Sequence, residues 1–449
     1  MLSFLVLIAL AVVGLFFYHR RSSLFQLLPL GLLFGAGFLL LGRYSDTIFD
    51  ATNEWRIIPG LLINVVFATL FFGKKIMKLS KIWKFAGPQI VFGQTLAWGQ
   101  YVVGTALAGL VLVPVFAVSA LSGALIEISF EGGHGTAAGL AGLFEDLNFA
   151  EGADIALGLA TVGIVAGIAS GLVMTAIYKK VSTHDVTQKK TVHKKPIHTM
   201  FGEFIVDTQT AFFSRHTILR TMFQLILVAG AIVLGMGLKE ALLMVETGLQ
   251  MLVNVPDVVR YIPLFPLAMI GGICIQLVAQ LAGMQKLIHA KTMAFIGSVA
   301  LEIVIITAIA TMSLAVISDN LAPFVLLALT GFMWNIFAFL VLAPRMIHSR
   351  WFERGIGDFG QSMGMTATGL LLMRSADPAN KSQAMERFGY KQLLFEPIVG
   401  GGIFTAMSMI LIFEFGLLAV FILSCIVMLF WLILGIKQFG FHYGDNKKP

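Results

Sequence analysis

Charge is what this chain has least of. Only 12% of its 449 residues are Asp, Glu, Lys or Arg, and no Lys or Arg occurs from Gly87 through Tyr178. That shortage excludes an ordinary soluble domain, in which about a quarter of residues are charged. Cysteine is nearly absent as well. The two present, Cys274 and Cys425, each sit inside an apolar run, so neither a disulfide framework nor a thiolate metal site can be built. No HExxH, GxSxG or P-loop pattern occurs, and His134 falls in no such motif. Enzyme chemistry and an organic cofactor are therefore not expected.

Apolar surface is abundant. Hydrophobic residues make up 58% of the chain, and its mean hydropathy is +0.89. The 38 Phe and 21 Met read as packing and lipid-facing residues. The net charge of +7 lies in loops between apolar runs, so it marks membrane orientation and not nucleic-acid binding.

A span of the roughly 30 Å hydrocarbon layer needs about 17–25 apolar residues. Such runs lie at about 2–18, 24–42, 57–73, 90–117, 155–178, 219–239, 261–283, 293–317, 322–344, 393–413 and 416–436. In the first of these, His19-Arg20-Arg21 follow the apolar run, which reads as a first helix with an outside N-terminus and not as a cleaved signal peptide. Lys74, Lys75, Lys78, Lys81 and Lys84 place the loop after the third span in the cytoplasm. Basic residues likewise put 179–220, Lys286–Lys291 and Arg345–Arg354 inside.

Within this apolar chain lie two glycine-rich polar stretches, Phe130–Leu140 (FEGGHGTAAGL) and Gly357–Leu370 (GDFGQSMGMTATGL). Irregular backbone at membrane depth survives only inside protein or beside water, because hydrocarbon leaves its polar groups unsatisfied. One break in each half is a pointer to a transporter's binding site. The loop charges make the first stretch dip in from outside and the second from the cytoplasm.

The expected fold is therefore an all-α polytopic membrane protein. About 11 transmembrane helices and two re-entrant hairpins form two inverted-topology five-helix repeats plus one extra C-terminal helix. Its parts are an N-terminal repeat over 1–178 with a hairpin at about 118–150, and a cytoplasmic linker over 179–218. An inverted repeat follows over 219–413 with a hairpin at about 355–390, then a further helix and tail over 414–449.

Gly132, Gly133 and Gly135 let bare backbone face a ligand, and Ser129 and Thr136 add oxygens of the kind Na⁺ favours. A helix starting near Thr136 would turn about half a positive charge toward a substrate carboxylate. Gly357, Gly360, Ser362, Gly364, Thr366 and Thr368 repeat the device, with His134 at the first tip as a loop brace or a ligand contact. The substrate-binding candidates are thus Gly132, Gly133, His134, Gly135, Thr136, Gly360, Ser362, Gly364, Thr366 and Thr368. Glu131, Asp358 and Glu302 are ionisable at membrane depth and are candidates for a cation or a proton. Glu127 and Glu396 are expected nearer the interfaces and solvated. Arg374 is either a substrate-carboxylate contact or a surface residue. Gln276, Asn64 and Gln94 are expected to bond between helices.

At these residues the chain resembles the bacterial sodium/glutamate symporter family. The match is carried by GGHGT with Ala160, Thr161 and Gly163, by Phe67-Ala68-Thr69 and Gly297-Ser298-Val299, and by Gly357, Gly360, Gly364, Thr366 and Thr368. Glu386-Arg387-Phe388-Gly389 and the helix start at Pro397 extend it. The resemblance implies Na⁺-driven glutamate uptake, a scaffold with a moving transport part, a homodimer, and Thr161 as a further coupling-ion candidate. Three residues depart from the family pattern: Asp358 stands in place of a His, and Glu131 and Glu302 in place of small polar residues. Added carboxylates repel a dianionic amino acid unless each holds a cation or a proton.

The expected function is secondary active, Na⁺-coupled symport of glutamate or a related acidic amino acid or small carboxylate, in the bacterial inner membrane. The partners are the substrate, Na⁺ and the bilayer. The alternatives are a cation/proton antiporter or an H⁺-coupled carboxylate symporter.

Overall fold

The computed structural model describes residues 30–42, 44, 50, 52–182, 215–253 and 256–440. The expected span at 2–18, most of the 179–218 linker and the last residues of the tail lie outside them. The described chain is helical: α1 (Leu30–Gly42), α2 (Ile58–Thr69), α3 (Leu79–Leu107), α4 (Gly133–Gly139), α5 (Glu151–Ser182), α6 (Arg215–Gln250) and α7 (Leu264–Leu281) form its first part. They are followed by α8 (Ala290–Ala310), α9 (Leu321–Phe337), α10 (Trp351–Gln361), α11 (Thr366–Ala376), α12 (Ala384–Phe395), α13 (Ile403–Phe415) and α14 (Leu417–Phe439), with shorter turns between. Seven helices among the described residues are long and apolar enough to cross a membrane. The protein is an all-α, multi-pass membrane protein.

Two expected spans are shorter than the sequence suggested. The apolar run 57–73 is helical only over the 12 residues of α2, about 18 Å. It ends in a turn where Gly73 takes φ 73°, a left-handed angle that a side chain disfavours. The run 393–413 is cut by irregular backbone at 396–402, leaving α13 with 13 residues. Pro397 has no N–H to donate, and Gly400 and Gly401 adopt φ 72° and 97°. Gly416, at φ 85°, then separates α13 from α14.

Among the described residues three π-helical turns interrupt the helices, at Ala108–Leu112, Glu127–Glu131 and Ala338–Leu342. Two precede a proline, Pro114 and Pro344. A proline ring collides with the carbonyl four residues back and offers it no donor. The wider turn absorbs that defect without ending the helix.

The chain folds into two compact units, interleaved in sequence: residues 1–76, 134–157 and 186–314 form unit 1, and 77–133, 158–185 and 315–449 form unit 2. In unit 1, α6 packs on α7, and α8 packs on α1 and α2. Small residues set the approach, since a Cβ on Gly272 would strike the Ala68 carbonyl and one on Gly235 would lie 2.7 Å from the Ala268 nitrogen. Ala68, Phe72, Val228, Ala231, Ala268, Ile288 and Met293 form one of its apolar clusters. In unit 2, α3 lies against α14, α12 and α9, and α10 pairs with α11 as a helical hairpin.

Candidate functional site

In unit 2 two chain breaks meet. A Cβ on Gly133 would collide with the carbonyl oxygen of Gly364, so only glycine allows this approach of the two polar stretches. Gly133 takes φ 71° and Gly364 φ 144°, both closed to ordinary side chains. Gly364 in turn sits on Ile164 of α5, and the Met363 carbonyl would lie 2.8 Å from a Cβ on Gly163. Thr161 is on this same stretch of α5 and half-buried.

The hairpin of α10 and α11 holds its tip by backbone packing. Gly360 rests against the Gly369 backbone, where an added Cβ would come within 2.8 Å. Ser362 at the turn is fixed through its carbonyl, which accepts hydrogen bonds from Gln100 at 3.0 Å and from Asn335 at 2.7 Å. Its hydroxyl donates to Glu131 Oε2. Thr366 opens α11, accepting from Gln392 at 3.4 Å and donating to Glu396 at 3.4 Å. Thr368 is buried one residue pair further on.

A third break, not anticipated as one, completes the site. The irregular stretch 396–402 is held by Glu127, whose Oε1 accepts from the Gly400 N–H at 2.9 Å and the Thr405 hydroxyl at 2.8 Å. Glu127 Oε2 accepts from the Tyr101 hydroxyl at 2.5 Å. Glu127 and Glu131 bracket one π turn, and the Glu131 side chain passes 3.5 Å from where a Gly400 Cβ would be. Both glutamates are buried, as is Glu396. The expectation that Glu127 and Glu396 are solvated at the interfaces is thus corrected: polar groups from the broken segment and from α3 and α12 replace water around them.

The second correction is a residue the sequence reading passed over. Lys391 is fully buried and bonds Asp358 Oδ1 at 2.8 Å, with both side chains at 0% exposure. Its Nζ also donates to Gln361 Oε1 at 3.1 Å, and lies 3.9 Å from the Phe395 ring centre. Gln392 joins the network, donating to Gln361 Oε1 at 3.0 Å and to Glu396 Oε1 at 2.9 Å. Asp358 Oδ2, Glu131 Oε1 and Gln392 Oε1 are buried and have no hydrogen-bond partner. A signal was available: a lysine one residue before Gln392 and five before Glu396, followed by Pro397 and three consecutive glycines, is costly in a lipid-like run unless used.

Other predicted site residues fall elsewhere. Gly132 closes the π turn, its N–H donating to the Glu127 carbonyl at 2.9 Å. His134, Gly135 and Thr136 belong to unit 1. There Gly135 packs on Ile63 and Leu301, and the Thr136 hydroxyl is buried without a hydrogen-bond partner. The helix at this tip starts at Gly133, not near Thr136, and has only 7 residues. Glu302, also in unit 1, accepts the Gly31 N–H of α1 at 2.6 Å. Of the three polar residues expected between helices, only Gln276 reaches another segment, bonding Gly73 N and Lys74 O at 2.9 and 3.0 Å. Asn64 and Gln94 bond within their own helices.

A membrane chain with a hairpin tip, a broken helix and buried acceptors gathered in one unit has a family to which it can be compared. Residues 6–375 match the model of the sodium/glutamate symporter family. The chain belongs to that family. No curated protein matches it. The symporter family is one of transporters, not enzymes, and its sodium coupling makes Na⁺ the ion against which the site is to be tested. Unpartnered oxygens of Glu131, Asp358 and Gln392 are the hard donors that Na⁺ takes, so the residues present fit it.

Proposed function

We propose that this symporter carries glutamate, or a closely related acidic amino acid, together with Na⁺, and that unit 2 is the transport part. The observation that carries the reading is the contact of Gly133 with the Gly364 carbonyl, beside buried acceptors that nothing in the unit satisfies. Glycine is needed at both tips only if bare backbone is to be presented at close range. Substrate carboxylates would take the first turn of α11, an 11-residue helix whose N-terminal amides carry partial positive charge. The Thr366 and Ser362 hydroxyls would orient them. Glu131 and Asp358 would take the cation, offsetting the repulsion between their carboxylates and an anionic substrate.

The reading extends to the whole molecule. Two re-entrant hairpins sit in inverted repeats among about 11 spans, unit 1 serves as scaffold, and the site opens alternately to each side. The protein works as a homodimer in a bacterial inner membrane. Thr161 remains a proposed contact in unit 2, and His134, Gly135 and Thr136 are proposed contacts within unit 1. The bond from Gly31 to Glu302 supports a structural role for that carboxylate, tying α8 to α1.

Uptake of radiolabelled glutamate into proteoliposomes tests the reading under imposed Na⁺ or H⁺ gradients. Accumulation driven by Na⁺ and competed by acidic amino acids is expected. A second reading, cation/proton exchange, is favoured by the burial of Glu127, Glu131, Asp358 and Glu396 in one unit. Na⁺/H⁺ exchange with no organic substrate would establish it and displace symport.

A further inference from the structure

Among its described residues unit 2 buries four carboxylates, Glu127, Glu131, Asp358 and Glu396, and one ammonium, that of Lys391, which pairs with Asp358. No other Lys or Arg is buried among the described residues. The surroundings of Lys391 Nζ are those of a cation site: a carboxylate oxygen at 2.8 Å, an amide oxygen at 3.1 Å, and the rings of Phe395 and Phe388 at 3.9 and 5.2 Å. Space for the side chain is made on α3, where a Cβ on Gly93 would lie 2.6 Å from Lys391 Cε. Two further oxygens of the same network, Asp358 Oδ2 and Gln392 Oε1, are buried with no hydrogen bond.

Stability does not explain the pair. Replacing a buried ion pair by apolar residues of similar volume is often neutral or stabilising. A lysine kept at 0% exposure inside a membrane protein points to use. We infer that the Lys391 ammonium is a tethered cation standing where a free Na⁺ would otherwise bind, so that the transporter carries one Na⁺ fewer per cycle than the same oxygens would take without it. The lysine neutralises Asp358 permanently, while Glu131, whose Oε1 has no partner, stays open to the exchangeable ion.

The inference rests on the reading that unit 2 binds the driving cation. Its test is therefore run without glutamate, so that its failure and a failure of glutamate uptake are distinguishable. Binding of radioactive Na⁺ to the purified full-length protein in detergent is compared for the wild type, Lys391→Met, Lys391→Arg and the double variant Asp358→Asn/Lys391→Met. Lys391→Met is expected to bind about one more Na⁺ per chain than the wild type. Lys391→Arg, which keeps the charge, and the double variant, which removes the vacated site's carboxylate, should both match the wild type.

Equal Na⁺ counts for Lys391→Met and the wild type overturn the inference, as does an extra ion that persists in the double variant. Should Lys391→Met be unfolded in Na⁺-free buffer, its melting curve becomes the readout. Rescue by Na⁺ but not by choline supports the tethered cation, and a protein unfolded at every Na⁺ concentration contradicts it.

Discussion

The two units differ in what their buried polar side chains bond. In unit 1 they fasten backbone. Gln276 bonds the turn at Gly73 and Lys74, and Gln280 bonds both polar groups of Ile76. Gln224 bonds Leu287 and His289, Glu246 the N–H groups of Val258 and Val259, Asp154 that of Ser313, and Glu302 that of Gly31. Apart from Gly31, each of these backbone groups lies in a connection or at a helix end that lipid would leave bare. Unit 2 has such bonds too, but it also holds a buried group of side chains that bond one another, through Asp358, Lys391, Gln361, Gln392, Glu396 and Thr366. All three π turns are there as well. A unit whose polar groups close helix ends gains rigidity. One whose polar groups meet each other, with oxygens left over, is prepared for something else to complete it.

The sharpest way to break this contrast is at the hairpin tips. Gly133→Ala and Gly364→Ala each add a Cβ where backbone or Ile164 stands and force a left-handed angle, costing about 1–3 kcal/mol of strain. Uptake should fall to background while the protein still elutes as a single species in detergent. Normal uptake by both would remove the tips from the site.

A smaller effect is expected at the broken segment. Thr405→Val removes one hydrogen bond to Glu127, and bonds to charged groups are worth about 1.5–3 kcal/mol. Uptake should drop roughly tenfold in rate with insertion intact. A variant that loses thermal stability but transports at the normal rate would make Glu127 a fastener like those of unit 1.

The converse is expected of unit 1. Gln276→Ala leaves two backbone groups at the 73–74 turn unsatisfied, a loss of about 1–3 kcal/mol. Its melting temperature should fall by several degrees, with the KM for glutamate and the Na⁺ dependence unchanged. A shifted Na⁺ dependence would show that the division of labour is false.

Much of this was legible in the sequence, for physical reasons. Lipid demands long apolar runs, so the seven long helices could be read from hydropathy alone. The glycines of the two stretches mark themselves, because φ 71° at Gly133 and 144° at Gly364 disfavour a side chain and a Cβ at either would collide with its neighbour. Hydropathy failed at 393–413, where Phe395, Ile398 and Val399 kept the run apolar while Pro397 and Gly400–Gly402 unwound it. Burial of Glu127 and Lys391 was hidden for a related reason. Each lies far along the chain from its partners, Glu127 being 278 residues from Thr405 and Lys391 33 from Asp358. Only the fold pairs them. The bond from Gly31 to Glu302 was hidden in the same way, since 271 residues separate the two.

The central claim is that the coupling carboxylates belong to unit 2. Na⁺ titrations of glutamate uptake by Glu131→Gln and Glu302→Gln, run side by side in proteoliposomes, test it most directly. The account predicts that Glu131→Gln changes the half-saturating Na⁺ concentration at least tenfold or abolishes coupling, while Glu302→Gln titrates as the wild type and loses only about 1 kcal/mol of stability. A wild-type titration for Glu131→Gln beside a displaced one for Glu302→Gln would contradict it.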